Sequence, residues 1–385
     1  MIYLDNAAST PVADAVLQEM LPYLKENYGN PSSIHRFGRI ATKAIETSRK
    51  RVAELIGAQP SEILFTSGGT ESNNTALFGV MTKKGRLITS SIEHDAILEP
   101  CKKLESQGCD VVYLPVDSTG TIDLGKLKDT ITQDTLLVSI MYANNEVGTI
   151  QPIKEIAQIC KQNNVPFHTD AVQAVGKIPI NVKELGVDLM SISSHKINGP
   201  KGIGALYIRG GFKIDPLVLG GGQEGGLRSG TENVSNIVGF GKACQLAKEN
   251  LDKNIAYLKS LRDNLIDQVT KGITHVTLNG HKENRLPNNA HFTFLGVNGE
   301  DLIIKLDENN IAASTGSACS VKTQKASHVL AAMGFSHEQI TGSLRLTVGL
   351  TNTAQEIDQT VSTLKKVVAE LRAVSPFKTK YGFAS

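Results

Sequence analysis

A lysine and an aspartate, each set just after a short apolar run, are the residues of this chain best placed to do chemistry. Asp170 closes Val165-Pro166-Phe167-His168-Thr169-Asp170, and Lys196 follows 26 residues later in Ser193-Ser194-His195-Lys196-Ile197-Asn198-Gly199-Pro200. A lysine is ordinarily a solvated surface charge. Between a strand and a Gly-Pro turn, where burial lowers its pKa toward the free amine, it becomes a candidate to form a Schiff base. A carboxylate at a strand end serves either as a helix N-cap or as the anionic partner that keeps a pyridinium nitrogen protonated and its ring an electron sink.

Other polar residues also follow strand candidates. Ser67-Gly68-Gly69-Thr70 opens a predicted helix, whose free N–H groups could hold a phosphate, although glycine in such a turn also serves ordinary backbone needs. The patterns Gly-x-x-x-x-Gly-Lys-Ser/Thr and Gly-x-Gly-x-x-Gly are absent, which points away from nucleoside triphosphates and dinucleotides and toward a smaller phosphate-bearing cofactor. His94 lies in Ile92-Glu93-His94-Asp95 and Asn145 in Asn144-Asn145-Glu146. Cys319 sits in Ser314-Thr315-Gly316-Ser317-Ala318-Cys319-Ser320, whose small polar residues supply little to pack a core and predict a thiol on an exposed, mobile loop. Cys101, Cys109, Cys160 and Cys244 read as small buried hydrophobes. With five cysteines and no Cys-x-x-Cys pair, the set fits neither a fully paired disulfide framework nor a zinc ribbon, and it predicts no resident metal.

The elements that must position these residues alternate short apolar runs with amphipathic stretches from about residue 60 to 210, the pattern of a sheet with helices on both faces. Strands are predicted at 63–66, 87–90, 136–141, 165–169, 189–193 and 205–208, and a parallel doubly wound sheet is the economical arrangement. In such sheets ligands bind outside the carboxyl ends of the strands, so one pocket could collect every residue named after a strand. Ile153, Ile156, Ala157 and Cys160 repeat at helical spacing, predicting a helix over 152–164. Residues 233–272 contain no proline and predict one long helix or two joined ones. Beyond them, 291–294, 302–306 and 343–348 read as elements of a smaller α+β domain closed by a charged helix over 354–374.

At 385 residues and 40% hydrophobic, the chain can bury a large core and a second, smaller one. Forty basic against 38 acidic residues leave a net charge of +2 with no basic stripe, which argues against nucleic acid as a direct partner. No apolar run reaches 18 residues and the start lacks a signal-peptide pattern, so a cytoplasmic location away from membranes is expected.

Six blocks together resemble the cysteine desulfurase family: Tyr3-Leu4-Asp5-Asn6-Ala7-Ala8, Gly29-Asn30-Pro31-Ser32-Ser33, Thr66-Ser67-Gly68-Gly69-Thr70-Glu71-Ser72-Asn73, Asn144-Asn145-Glu146-Val147-Gly148, Asp170-Ala171-Val172-Gln173 and Ser193-Ser194-His195-Lys196. They run in order along nearly the whole chain. The resemblance implies a fold-type I, class V transferase dependent on pyridoxal 5'-phosphate: a large domain over 14–255 with a mainly parallel seven-stranded sheet, and a small α+β domain over 1–13 and 256–385. It also implies the roles. Lys196 would carry the cofactor, Asp170 would face its pyridinium nitrogen, and Gln173 would bond its phenolic oxygen. Gly69, Thr70, Ser193 and His195 would hold the phosphate, joined by Thr231 from a second copy in a homodimer, and His94 would stack on the ring. Arg345, aided by Asn145, would grip the carboxylate of L-cysteine, an arginine's planar fork being suited to that anion.

Cys319 would then receive the sulfur, as in the long-loop NifS and IscS type, yielding L-alanine and a persulfide for an iron–sulfur scaffold or a tRNA-thiolation protein, and would be able to ligate a cluster transiently. Ser194, Asn198 and Leu350 depart from residues common in the family, and only Phe377-Lys378-Thr379-Lys380-Tyr381-Gly382-Phe383-Ala384-Ser385 follows Pro376, where some members carry a longer docking tail. A selenocysteine lyase, an aminotransferase on the same fold, and a non-catalytic scaffold protein are the alternatives. Cys319 speaks against the aminotransferase, and joint retention of Lys196, Asp170, His94 and Cys319 against the scaffold.

Overall fold

The structure, a computed structural model, describes residues 1–316 and 326–383. Its strands in chain order are β1 (Ile2–Tyr3), β2 (Ile63–Thr66), β3 (Arg86–Ser90), β4 (Asp110–Leu114), β5 (Thr135–Ser139), β6 (Phe167–Asp170), β7 (Leu189–Ser193), β8 (Gly204–Ile208), β9 (Val276–Asn279), β10 (Asn289–Phe294), β11 (Ile311–Ala312) and β12 (Ser343–Thr347). Seven of them form one sheet in the order β2-β8-β7-β6-β5-β3-β4.

The sheet divides its apolar residues by the two-residue period of a strand. Ile63 and Phe65 pack with Ile88, Val138, Phe167 and Met190 on one face, while Leu64 packs with Leu87, Leu137 and Leu189 on the other. Both faces are therefore covered, as an α/β sheet requires. The sheet is mainly parallel, but β8 runs antiparallel to both β7 and β2. A wholly parallel sheet is thus corrected at one strand, because the 194–203 connection is shorter than the dozen or so residues a parallel crossover needs. Strand β4 was not among the strands predicted from local pattern. It is a partly exposed edge of the sheet, although Val111-Val112-Tyr113-Leu114 is as apolar a run as those of the predicted strands.

The stretch expected to be helical over 233–272 is two helices, Val234–Glu249 and Leu251–Gly272, meeting at Asn250. A second core gathers Leu258, Leu261 and Leu265 from the latter with Phe292, Phe294, Leu306, Leu344 and Leu364 around the antiparallel sheet β12-β10-β9. Residues 302–306 lie within the helix Gly299–Glu308. The chain's first strand belongs to this second core: β1 pairs in parallel with β11, and Ile2 and Leu4 are buried there. No helix among the described residues is long and apolar enough to cross a membrane.

Candidate active site

The residues around Lys196 come from strand ends of the large sheet and from the N-terminal segment. Lys196 ends the short helical turn Ser194–Lys196 directly after β7, and its amine donates to the carbonyl oxygens of Ala7 at 2.6 Å and Ala8 at 2.8 Å. Those carbonyls are held from the small sheet. Ala7 N donates to Thr347 Oγ1 at 2.9 Å, and Asn6 Nδ2 to the Thr347 carbonyl at 2.8 Å.

Asp170, at the end of β6, is 7% exposed. Its Oδ2 accepts from Asn73 Nδ2 at 2.6 Å and its Oδ1 from the Val172 amide at 2.9 Å, so it is both oriented and kept as an acceptor. His94 caps the helix Asp95–Ser106, its Nδ1 accepting from the Ala96 amide at 3.0 Å. Burial lowers the His94 pKa, the nearby Asp170 carboxylate opposes that, and Lys196 adds to it. The imidazole is thereby kept available as a neutral ring.

An anion cradle lies beside the lysine. A cavity of about 320 Å³ is lined by Ser67, Gly69, Thr70, Ser193, His195 and Lys201, among others, at the N-terminus of the helix Gly69–Val80. Unpaired N–H groups and the positive helix end favour negative charge there. Gly68 has φ +151°, open to glycine, and a Cβ on Gly69 would come 2.7 Å from Val172 Cγ2, so the turn cannot carry larger side chains without movement. His195, with Ser9 Oγ 3.3 Å from its Nδ1, is pushed down to about 4 by burial, with Lys196, Lys201 and Lys177 acting the same way.

Arg345 on β12 is 2% exposed. Its Nη1 donates to the carbonyls of Asn145 at 2.9 Å and Gly316 at 3.0 Å, and its Nη2 pairs with Asp5 Oδ1 at 2.7 Å. Its Nε is buried with no partner among the described residues, which suits it to receive a further anion.

Sequence reading placed Gly69, Thr70, Ser193 and His195 together, and the structure lines one cavity with them. Arg345 meets Asn145 through the latter's backbone. Thr231 is exposed and lines a separate cavity with Ser67 and Arg228, while Arg228 pairs with Glu71 of the cradle helix at 2.8 Å. Within one chain Thr231 therefore stays outside the cradle. Cys319 lies outside the described residues. Sequence reading missed Asn73, Asp5, Glu93, Glu146 and Lys177 as supports. Asn73 and Asp5 stand inside the quoted blocks, and Lys177 stands four residues after Gln173, the spacing of one helical turn. Glu146 also stands inside a quoted block and Glu93 beside His94, but neither position says anything of burial.

Both carboxyls are fully buried. Burial pushes Glu93 up to about 8 against hydrogen bonds from Ser90 and the Met141 amide, and it raises Glu146, whose Oε2 accepts from Ser327 Oγ at 2.5 Å. Two histidines are buried neutral by the same cause. His168 lies between Ser139 Oγ at 2.8 Å and Ser191 Oγ at 2.9 Å, and both it and His291 fall to about 3. These folded values lie below the ordinary 6.5, so unfolding takes up protons as pH falls between 6.5 and 3. Their contribution is therefore complete above 6.5 and is lost through that window, by about 1.4 kcal/mol per pH unit for each excess proton. Glu93 acts in the opposite sense between 4.5 and 8, so the histidine share is read by difference. Urea unfolding from pH 7.5 down to 5 should show a shallower acid loss for His168→Gln than for the unaltered protein, and parallel curves would refute the assignment.

An α/β sheet carrying a lysine, a buried aspartate and an anion cradle at its strand ends defines an enzyme that holds a phosphate-bearing carbonyl cofactor. The chain belongs to the aminotransferase class-V family, whose model matches residues 2–360. It is 52% identical over 384 residues to a cysteine desulfurase IscS of Dictyoglomus turgidum, covering 99% of this chain and 98% of that one. It is 51% identical over 383 residues to a cysteine desulfurase IscS of Methanosarcina thermophila, covering 98% and 95% respectively. Among solved structures, a NifS-like protein superposes with a TM-score of 0.90 at 41% identity, over 96% of this chain and 99% of that chain. The fold is that of the NifS-like pyridoxal-phosphate enzymes. Pyridoxal 5'-phosphate is the cofactor of this group, and the residues present fit it: an amine for the aldehyde, a buried carboxylate for the ring nitrogen and a helix N-terminus for the phosphate.

Proposed function

We infer that the protein is a cysteine desulfurase, a pyridoxal-phosphate enzyme that converts L-cysteine to L-alanine and passes the sulfur to Cys319. The observation that carries this reading is the buried Arg345, whose Nε has no partner among the described residues and which pairs with the same N-terminal segment that holds Lys196. An amino acid's carboxylate gripped there leaves its α-carbon toward the lysine amine.

Bound in the cradle, the cofactor supplies an electron sink that weakens bonds around the substrate's α-carbon. Lys196 Nζ takes the α-proton and returns it. Asp170 would hold a proton at the ring nitrogen, Gln173 would donate to the phenolic oxygen, and Gly69, Thr70, Ser193 and His195 would hold the phosphate. His94 would stack on the ring. Cys319 Sγ, as thiolate, takes the substrate sulfur: an S–S bond forms, the C–S bond breaks, and its electron pair stays with the carbon that becomes the methyl of alanine. Thiolate is the reactive form of a cysteine.

Incubation with L-cysteine should give alanine and one added sulfur on the Cys319 peptide, removable by reductant. Alanine without that sulfur would count against the transfer step.

A homodimer completes the site in this reading, with Thr231 of a second copy reaching the phosphate. Tyr28 and Ile34, 73% and 92% exposed, and the Tyr28 ring 5.6 Å from that of Phe37 give the surface an apolar face that a second copy would cover. Sedimentation should report two chains per active particle, and a cofactor-loaded, active monomer would overturn this. The persulfide is destined for a sulfur-accepting protein of iron–sulfur cluster assembly or tRNA thiolation, in the cytoplasm.

A further inference from the structure

Lys177 is a buried basic group that the reaction above leaves unused. It is 5% exposed, and its amine lies 3.1 Å from the Gln173 carbonyl and 3.4 Å from Gln173 Oε1. Gln173 Nε2 in turn donates to the Ala7 carbonyl at 3.0 Å, the same oxygen that accepts from Lys196. A lysine buried this deeply is costly unless paired. The charge that acts on Lys177 is the like charge of Lys196, and burial with that neighbour pushes it down to about 7. An ion pair therefore does not account for its place, and its contact with Gln173 does.

A glutamine amide has two ends of similar shape and opposite hydrogen-bonding sense. While protonated, the Lys177 amine can only donate, so it selects the orientation with Oε1 toward itself and the N–H groups away. We propose that Lys177 is a positioning residue that fixes the Gln173 carboxamide so that its N–H end, and not its carbonyl, meets the phenolic oxygen of the cofactor. This rests on the assignment of Gln173 to that oxygen made above. Without Lys177 the amide is free to turn, and a carbonyl facing an anionic oxygen repels it. Lys177 also lines an interdomain cavity of about 530 Å³ with Lys196, Asn6 and Asn288, which leaves room for side-chain replacement.

The test is a pH titration of the visible absorbance of the cofactor-loaded protein, comparing Lys177→Met, Gln173→Ala and the double variant. A donor to the phenolic oxygen stabilises the more negative, deprotonated form of the chromophore, so its loss raises the spectral pKa. Lys177→Met should raise it by about one unit, the worth of one hydrogen bond to a charged group. Gln173→Ala should raise it at least as much, and the double variant no further than Gln173→Ala, because residues acting through one another are not additive. Lys177→Gln, which keeps a donor, should recover most of the shift. An unshifted Lys177→Met beside a shifted Gln173→Ala overturns the proposal for Lys177. So does an additive double variant, which would mean that Lys177 acts by its own charge. An unshifted Gln173→Ala overturns the assignment of Gln173 itself. Lys177→Leu supports the same comparison if Lys177→Met does not fold.

Discussion

Cys319→Ala is expected to bind cofactor and L-cysteine normally, yet to release alanine at least roughly 10³-fold more slowly, since deleting a catalytic nucleophile has cost as much as about 10⁶ in other enzymes. Lys196, Asp170 and Arg345 are untouched by the change, so the grip on substrate survives. What is lost is the acceptor that must take the sulfur as the C–S bond breaks. Substrate-bound absorbance should therefore accumulate while alanine does not. Alanine and sulfide released at the unaltered rate, or the added sulfur found on Cys101, Cys109, Cys160 or Cys244, would show that another acceptor serves. Cys101 and Cys160 are poor rivals on physical grounds, because burial pushes the latter up to about 12 and the former higher still, leaving almost no thiolate.

Lys196→Ala should have an effect of comparable size through a different step. Removing the amine that carries the α-proton costs about 10²- to 10⁴-fold for general acid–base work alone, and the covalent anchor of the cofactor goes with it. Borohydride should fix the cofactor to a single peptide, the one containing Lys196, in the unaltered protein and to none in Lys196→Ala. A reduced adduct on Lys177 or Lys201 would move the site, and both are close enough to be tested: each acts electrostatically on His195. Added methylamine should restore proton transfer in part, which a merely unfolded variant would not show.

Much of this site was legible because strand ends concentrate function in an open α/β sheet. Asp170, Lys196 and the Ser67–Thr70 turn each follow a run whose apolar pattern marks a strand, and all three strands stand in the sheet. The order of the blocks supplied the family. What pattern could not supply was burial and partnership across long separations. Asp5 and Arg345 pair across 340 positions, and local spacing carries no trace of that. Lys177 looks like any surface lysine until its fully buried surroundings are known. Strand β8 reverses direction for a reason of connection length, which a strand-by-strand reading does not weigh. Thr231 has its proposed role only with a second copy.

The N-terminal segment has a consequence for how the protein is made. Residues 6 to 8 are made long before residue 347, yet Asn6 and Ala7 are held by Thr347 across 341 and 340 positions. At a synthesis rate of about 5–20 residues per second, they wait roughly 17–68 s for that partner. Until it arrives, residues 6 and 7 lack their tie to the small sheet, and only the large domain, through Gln173 Nε2 at the Ala7 carbonyl, holds the segment that meets the Lys196 amine. The large sheet can form during translation, but that segment is anchored from both sides only once residue 347 has been made. A ribosome that stalls before residue 347 leaves a sheet whose lysine is held from one side, and two stretches made far apart in time together close the site.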